Sequence, residues 1–173
     1  MNLFKSLAVA AALFAISMTA HAAPLYANVH VGAATQAGIS GINLDDGQVY
    51  GAAIGTAVGP LRVEAGVDRH NVSIANIING HATVYNASAF ADFRLGNQSA
   101  VYVGGGVDYG QVSAHIGPWT AARDSGFGYH VATGYSRRIS DGLILDAQAR
   151  YTHLDVANGA SDVALTAGLR VAL

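Results

Sequence analysis

The clearest pattern along the chain is an alternation in which apolar residues occupy every second position. In the segment from residue 162 to 173, the apolar members of this alternation are Val163, Leu165, Ala167, Leu169, Val171 and Leu173. The same period recurs in eight segments, namely residues 25–34, 49–58, 61–70, 82–95, 100–111, 125–137, 143–153 and 162–173. A period of two is typical of β-strands, and no segment after residue 22 has the 3.6-residue period of an amphipathic helix. The pattern therefore predicts an all-β protein with eight strands.

The connections between these strands alternate between long and short. Short turns follow strands two, four and six, and they contain Gly59-Pro60, residues 96–99 and residues 138–142. Each strand is close to the length of about 9–11 residues that a tilted strand needs to cross a bilayer. Long loops at one end and tight turns at the other are typical of outer-membrane barrels, whose long loops lie outside the cell. The sequence thus predicts an eight-stranded antiparallel up-and-down transmembrane β-barrel.

One face of these strands is apolar and has no acidic or basic residue over the length that would cross a membrane. Its aromatic residues are sorted by height. At the long-loop ends lie Tyr50, Tyr85, Tyr109, Phe127, Tyr129 and Tyr151, and at the short-turn ends lie Phe93 and Tyr135. Two aromatic girdles are expected at the two interfaces of a membrane. A soluble barrel with a solvated polar face is disfavoured, because the polar face is rich in Gly and Ala and only 12% of the chain is charged.

The opposite face is predicted to line the barrel lumen with a polar network. Its candidate members are Arg62, Glu64, Asp68, Asp92, Arg94, Asp108, His130, Asp146, Arg150 and Arg170. Positions along the hairpins predict that Asp146 lies near Arg170 and that Arg62 lies near Asp92. Eight strands enclose a lumen just wide enough for side chains to fill. Paired charges would therefore plug the lumen or, alternatively, line a narrow pore. The small inward residues of strand two, Gly51, Ala53, Gly55 and Ala57, leave space that favours the pore, or alternatively that space holds the large side chains of neighbouring strands.

The first 22 residues have the three regions of a cleavable secretory signal peptide. Lys5 is followed by an apolar run from Leu7 to about Met18 and then by Ala20-His21-Ala22. The run is shorter than the roughly 20 residues of a membrane-spanning helix. We therefore expect a signal peptide over residues 1–22 and a barrel domain over 23–173. The net charge of −2 and the absence of a basic surface exclude nucleic acid as an expected partner, and the chain has no cysteine.

Two stretches carry a family resemblance. "YVGGGVDYG" (102–110) and "GYHVATGYSRRISDGLILDAQARYTHL" (128–154) resemble the small outer-membrane β-barrels of the opacity-porin and OmpA transmembrane-domain type. The resemblance implies a Gram-negative outer membrane, insertion by the outer-membrane assembly machinery, contact with lipid and lipopolysaccharide, and roles in envelope integrity, adhesion or minor permeability. It also implies an assembly signal at Gly168, Val171 and Leu173, although the family usually ends on an aromatic residue. We expect a monomer without a cofactor.

Residues with catalytic or metal-binding chemistry are sparse. Some eight-stranded outer-membrane barrels are lipid A enzymes, and the candidates here would be His70 with Ser73 or His81 with Asn79. The sequence has no Gly-x-Ser-x-Gly motif. The outer histidines His70, His81, His115 and His153 lack the short spacing of metal ligands. We therefore predict no enzyme and no metal site, with lipid A modification kept as a remote alternative.

The outer loops are candidate ligand-binding segments. The third predicted loop carries His115, Ile116, Pro118, Trp119 and Arg123, and the second carries Ile74, Ile77 and Ile78. These side chains would either contact a surface ligand or fold back onto the rim. The sequence therefore predicts a structural or surface-interaction role, with a narrow porin-like channel as the alternative.

Overall fold

The computed structural model describes residues 24–37, 47–74, 78–116, 119–156 and 159–173. These residues form a closed barrel in which each strand pairs antiparallel with its neighbours in sequence and the last strand pairs with the first. The strands are β1 (Leu25–Ala37), β2 (Gly47–Val58), β3 (Leu61–Ile74), β4 (Ile78–Arg94), β5 (Ser99–Ile116), β6 (Trp119–Ser140), β7 (Leu143–Leu154) and β8 (Ala160–Ala172). The predicted eight-stranded barrel is confirmed. The predicted signal peptide lies outside the described residues.

The hairpins β3–β4 and β5–β6 extend farther than the sequence pattern predicts. Ile74 pairs with Ile78, and Ile116 pairs with Trp119, so most of the predicted second and third loops is strand. The alternation of apolar residues ends where the lipid-facing surface ends, whereas ladder hydrogen bonds need only a partner strand. The prediction of a long second loop around Ile74–Ile78 and a long third loop around His115–Arg123 was therefore wrong. No helix in the described part of the chain is long and apolar enough to cross a membrane.

The turns at the other end of the barrel are tight, as predicted. Gly59 and Gly142 have φ angles of 61° and 81°, a left-handed conformation that residues with a Cβ rarely adopt. Val58 pairs with Leu61 across the first of these turns, and Ser140 pairs with Leu143 across the second. Such two-residue turns match the right-handed twist of the strands they connect.

The two faces of each strand differ as the alternation predicts. In β8, Leu165 and Val171 are exposed on the outside, while Ala164 and Arg170 are buried inside. The predicted girdle residues that are exposed on the outer surface are Tyr50, Tyr85, Phe93, Phe127, Tyr129, Tyr135 and Tyr151. Tyr109 is half-buried, and its ring centroid lies 5.2 Å from that of Phe127. The barrel thus presents an apolar outer surface and a polar interior.

Candidate functional site: the barrel lumen

The largest fully buried side chain in the lumen is that of Arg62, on β3 near the short turns. Its guanidinium lies 4.5 Å from the ring centroid of Phe90 and 4.6 Å from that of Tyr102, so both rings contact the cation. It donates hydrogen bonds to Glu64 and, at 3.4 Å, to Asp92. Arg62 is 2% exposed, and a buried cation is stable only when it is paired in this way.

A closed circuit of contacts runs around Arg62. The Tyr26 hydroxyl donates to Glu64 at 2.8 Å, and the Tyr102 hydroxyl donates to Asp146. Arg170 also donates to Asp146, and its guanidinium lies 5.3 Å from the ring centroid of Tyr26. We call this set the ionic ring, and its members are Tyr26, Arg62, Glu64, Tyr102, Asp146 and Arg170. They come from β1, β3, β5, β7 and β8, so the ring bridges the lumen from wall to wall.

A second set of hydrogen bonds lies on the loop side of the ionic ring and converges on Asp68. Asp68 accepts hydrogen bonds from Arg150 at 2.5 Å, from Asn86 at 2.8 Å and from Nε2 of His30 at 2.7 Å. Arg150 also donates to Gln148, whose amide donates to the Tyr102 hydroxyl at 3.4 Å. The Asp68 carboxylate is 1% exposed, and both of its oxygens are hydrogen-bonded. The hydrogen bond from Gln148 to Tyr102 joins this set to the ionic ring, so the two networks are continuous.

Three further lumen residues form a line of hydrogen bonds. The Ser88 hydroxyl lies 3.0 Å from Nε2 of His130, and Nδ1 of His130 lies 2.9 Å from Asp108. A hydroxyl, a base and an orienting carboxylate in this order are the parts of a nucleophilic triad. All three side chains are buried, however, and none lines the interior cavity described below. The line, which we call the Ser–His–Asp line, is therefore closed to a substrate.

Glycine makes room for this line. Gly106 pairs with both Ser88 and His130, and a Cβ at Gly106 would lie 2.7 Å from the imidazole Cε1. The sequence could have indicated this cluster, because Ser88, Gly106 and His130 have inward parity and face one another on three consecutive strands, β4, β5 and β6.

The loop-side half of the lumen is filled differently. Val49 packs with Ala34 and Ala164 in a buried apolar cluster. Leu154 lies over Gly110, where a Cβ would approach one of its methyl groups to 2.6 Å. In the same half, Nδ1 of His70 lies 2.8 Å from the Asp162 carboxylate. Small residues and close strand approach fill this half.

A cavity remains between the ionic ring and Asp68. It offers about 10 Å³ to the centre of a water molecule, close to the minimum of roughly 10–15 Å³ that one water needs. Its polar lining includes Asn28, His30, Glu64, Gln148 and Arg150. The Oδ1 atom of Asn28 is buried without a protein partner, so the cavity has the polarity and the volume for about one water.

Most of the predicted lumen residues lie in these networks. The predicted pairs Asp146–Arg170 and Arg62–Asp92 are both present. Arg94 is the exception, because it lies at the exposed end of β4 and its side chain has no hydrogen bond or ion pair within the described residues. Its position has inward parity, but the strand ends there and the side chain reaches solvent. The prediction that Arg94 belongs to the lumen network was therefore wrong.

Sequence reasoning did not single out Tyr26 and Phe90, which are buried aromatic members of the lumen. Their inward parity on β1 and β4 was the available signal. The space beside β2 is occupied by neighbouring side chains, since a Cβ at Gly51 would meet Asp68 and His30. The small inward residues of β2 therefore make room for the side chains that fill the lumen, as the predicted plug requires, and they do not leave an open gap.

The predicted assembly signal lies at the end of the last strand. Val171 and Leu173 of the proposed assembly signal are exposed at the end of β8, and Gly168 is half-buried, but recognition by assembly machinery stays a prediction. Within the described ranges, no group of three or more His, Asp or Glu side chains could hold a metal ion. The side chain of His115 and those of the predicted third-loop segment 116–123 lie outside the described residues.

Comparison with known proteins adds a family and several structural neighbours. A family model described as an outer membrane protein beta-barrel domain matches residues 6–171. The structure is similar to that of neisserial surface protein A, at 23% identity and a TM-score of 0.76, over 86% of this chain and 97% of that chain. It is also similar to Ail, the attachment invasion locus protein of Yersinia pestis, at 18% identity and a TM-score of 0.57, over 84% and 98%.

A third neighbour is the outer membrane protein OprG from Pseudomonas aeruginosa, at 10% identity and a TM-score of 0.63, over 87% of this chain and 96% of that chain. At these identities the likenesses show the fold alone. Among curated proteins, none matches the chain significantly.

Proposed function

Because the chain belongs to the family of outer membrane protein beta-barrel domains, we propose that it is a monomeric barrel with a closed lumen and a structural or surface-interaction role. The ionic ring carries this proposal. Its side chains reach across the lumen from five strands, and each buried charge in it has a partner. Passage of an ion would require these pairs to separate in an environment where an unpaired charge is costly.

The alternative is a narrow channel through the same polar lumen. The water-sized cavity supports this alternative, because it is lined by Glu64 and Arg150 and lies between the two networks. A channel would use these residues as its lining and would open by rearrangement of the ionic ring. The two functions therefore differ in whether the ring opens under a membrane potential.

Conductance in a planar lipid bilayer distinguishes the two functions. We expect the purified, heat-modifiable barrel to give no discrete current steps. Phe90→Ala, which removes a large side chain beside Arg62, should produce small steps, whereas Phe93→Ala on the outer surface should not. Discrete steps in the unmodified protein whose size changes with Glu64→Gln or Arg150→Gln would contradict a closed lumen and support the channel.

We assign no catalytic activity to the Ser–His–Asp line, because its three members are buried inside the barrel. A fluorophosphonate probe, which labels activated serines, should leave the folded barrel unlabelled. Ser88→Ala serves as the matched control. Labelling of the folded protein that is lost in Ser88→Ala would support the enzyme alternative instead.

The surface role is proposed for the loop end of the barrel, which faces the cell exterior. One neighbour is named a surface protein, and another is named for attachment and invasion and has been solved in complex with a heparin analogue. These names support surface contact as a class of function. Adherence of bacteria expressing the barrel should fall when residues 116–120 are replaced by a short Gly-Asn turn. Unchanged adherence, with unchanged surface expression, would leave only the structural role.

Export by the signal peptide is part of the same proposal. Residues 1–22 should be absent from protein extracted from the outer membrane of a Gram-negative cell, and intact mass spectrometry of that protein measures this directly. A chain that retains residue 1 would contradict cleavage.

A further inference from the structure

The arginines of the barrel fall into groups with different surroundings. Arg62, Arg150 and Arg170 lie in the lumen and pair with acidic residues. Three others lie together at the short-turn end of the barrel, and all three are exposed. They are Arg94, Arg137 and Arg138, which we call the rim arginines. None of the three has an ion-pair partner within the described part of the chain.

Strand pairing brings the rim arginines to one sector of the rim. Arg94 pairs with Ala100, which pairs with Ser136, and Arg137 pairs with Ser99. The backbone amide of Arg138 donates to the Gln98 carbonyl at 2.7 Å. Neighbouring strands lie about 4.8 Å apart, so the Cα atoms of the three arginines lie within about 12 Å of one another across β4, β5 and β6. Arg137 has outward parity, whereas Arg94 and Arg138 have inward parity at the exposed ends of their strands.

The sector is also positively charged overall. Asp92 is engaged by Arg62 inside the lumen mouth, which leaves Asp141, in the turn after β6, as the nearest exposed acid in the described chain. Beside β1–β3, the exposed residues of the same rim include the apolar Leu25, Val58 and Leu61. The short-turn rim is therefore divided into a cationic sector and an apolar sector.

The rim arginines occupy the height at which lipid headgroups lie. Arg137 has the outward parity of Tyr135, two residues earlier on β6, and Arg94 follows Phe93 directly; both aromatic residues are exposed on the outer surface. Exposed aromatic rings at this end of the apolar surface mark the membrane interface. Guanidinium groups bind phosphate through paired N–H donors, and clustered basic residues beside a membrane attract anionic lipid.

We propose that the rim arginines bind the phosphate groups of anionic phospholipids in the periplasmic leaflet, such as phosphatidylglycerol or cardiolipin. The leaflet follows from the proposed orientation, in which the short turns face the periplasm. The cluster holds the β4–β6 sector of the barrel at the headgroup level, while the apolar sector beside β1–β3 is free to lie deeper. Arg137 shares the lipid-facing side of β6, which favours a lipid over a protein partner.

The test compares the lipids that remain bound to the intact barrel after its extraction from bilayers of phosphatidylethanolamine and phosphatidylglycerol. We expect enrichment of phosphatidylglycerol over the bulk bilayer. The triple variant Arg94→Gln/Arg137→Gln/Arg138→Gln should lose most of this enrichment, since each arginine near a surface contributes about fivefold to anionic-lipid binding. Arg69→Gln is the matched control, because Arg69 is an exposed, outward arginine at the opposite end of the barrel.

Equal enrichment in the triple variant would overturn the proposal, and so would an equal loss in Arg69→Gln, which would indicate diffuse charge attraction. Displacement of the lipid by millimolar inorganic phosphate would assign the site to free phosphate instead. Heat-modifiable mobility on a gel verifies that each variant is folded, and single Arg137→Gln replaces the triple variant if that fails. None of these outcomes bears on the closed lumen, because bilayer conductance tests it separately.

Discussion

The two halves of the lumen are filled by different chemistry. The half near the short turns contains long charged and aromatic side chains, and the ionic ring joins five strands there. The half near the loops contains small apolar residues such as Ala34 and Ala164, packed against strands that approach closely. The half near the short turns depends on mutual compensation of charges, whereas the cluster of Ala34, Val49 and Ala164 near the loops depends on shape. A lumen can therefore be closed either by polar partners or by short distances between backbones.

The largest difference between the halves should appear when one charge of the ionic ring is removed. Asp146→Ala leaves Arg170 buried without its carboxylate and leaves the Tyr102 hydroxyl without an acceptor. We expect a loss of about 3–5 kcal/mol in the free energy of unfolding, measured by urea denaturation in detergent micelles. In the loop-side half, Asp162→Ala removes a pair that is closer to solvent and should cost about 1 kcal/mol.

The same comparison can be sharpened with a double variant. Asp146→Leu/Arg170→Met removes both members of the pair and should recover much of the stability that Asp146→Ala loses. If the double variant is as unstable as the single one, the ionic ring does not act through charge compensation.

A smaller effect is expected from truncation in the loop-side half. Leu154→Ala removes the methyl groups that cover Gly110 and should cost about 2–3 kcal/mol, because a cavity forms near the open end of the barrel. Gly110→Ala alone should also destabilise, since its new Cβ meets Leu154. Combined, the two changes should cost less than their sum. Additive losses in thermal unfolding would show that shape complementarity at this pair is unimportant.

The smallest of these effects is expected within the Ser–His–Asp line. Ser88→Ala removes one neutral hydrogen bond to His130 and should cost about 1 kcal/mol. Ser125→Ala, at an exposed serine of β6, provides a comparison outside the line. A loss above about 3 kcal/mol in Ser88→Ala would place the line among the main supports of the lumen.

The sequence predicted the architecture because lipid imposes a strict alternation on every strand that crosses it. It predicted the strand ends poorly. β5 continues to Ile116 and β6 begins at Trp119, so both strands extend beyond the part of the hairpin that lipid surrounds. Hairpin register was sufficient to find Asp146 with Arg170, which lie on adjacent strands.

Register along one hairpin could not predict contacts across the lumen. Tyr102 meets Asp146 from a strand that is two away, and Asp68 on β3 meets Arg150 on β7. Such contacts depend on the diameter of the closed barrel and on how far each side chain leans from its strand. At Arg94 the sequence predicted a lumen contact that is absent from the described structure. Inward parity alone does not indicate whether a position lies within the barrel or beyond its end.

The contact between Asp68 and Arg150 also has a consequence for the order of folding. These residues are 82 positions apart in sequence, and His30 reaches the same carboxylate from β1. No single hairpin contains both the acid and the guanidinium, so Asp68 and Arg150 stay hydrated and unpaired at least until the five strands β3–β7 have assembled and curled. Dehydration of the interior must then coincide with the joining of β8 to β1, and the final closure should be a cooperative step with few stable intermediates on either side of it.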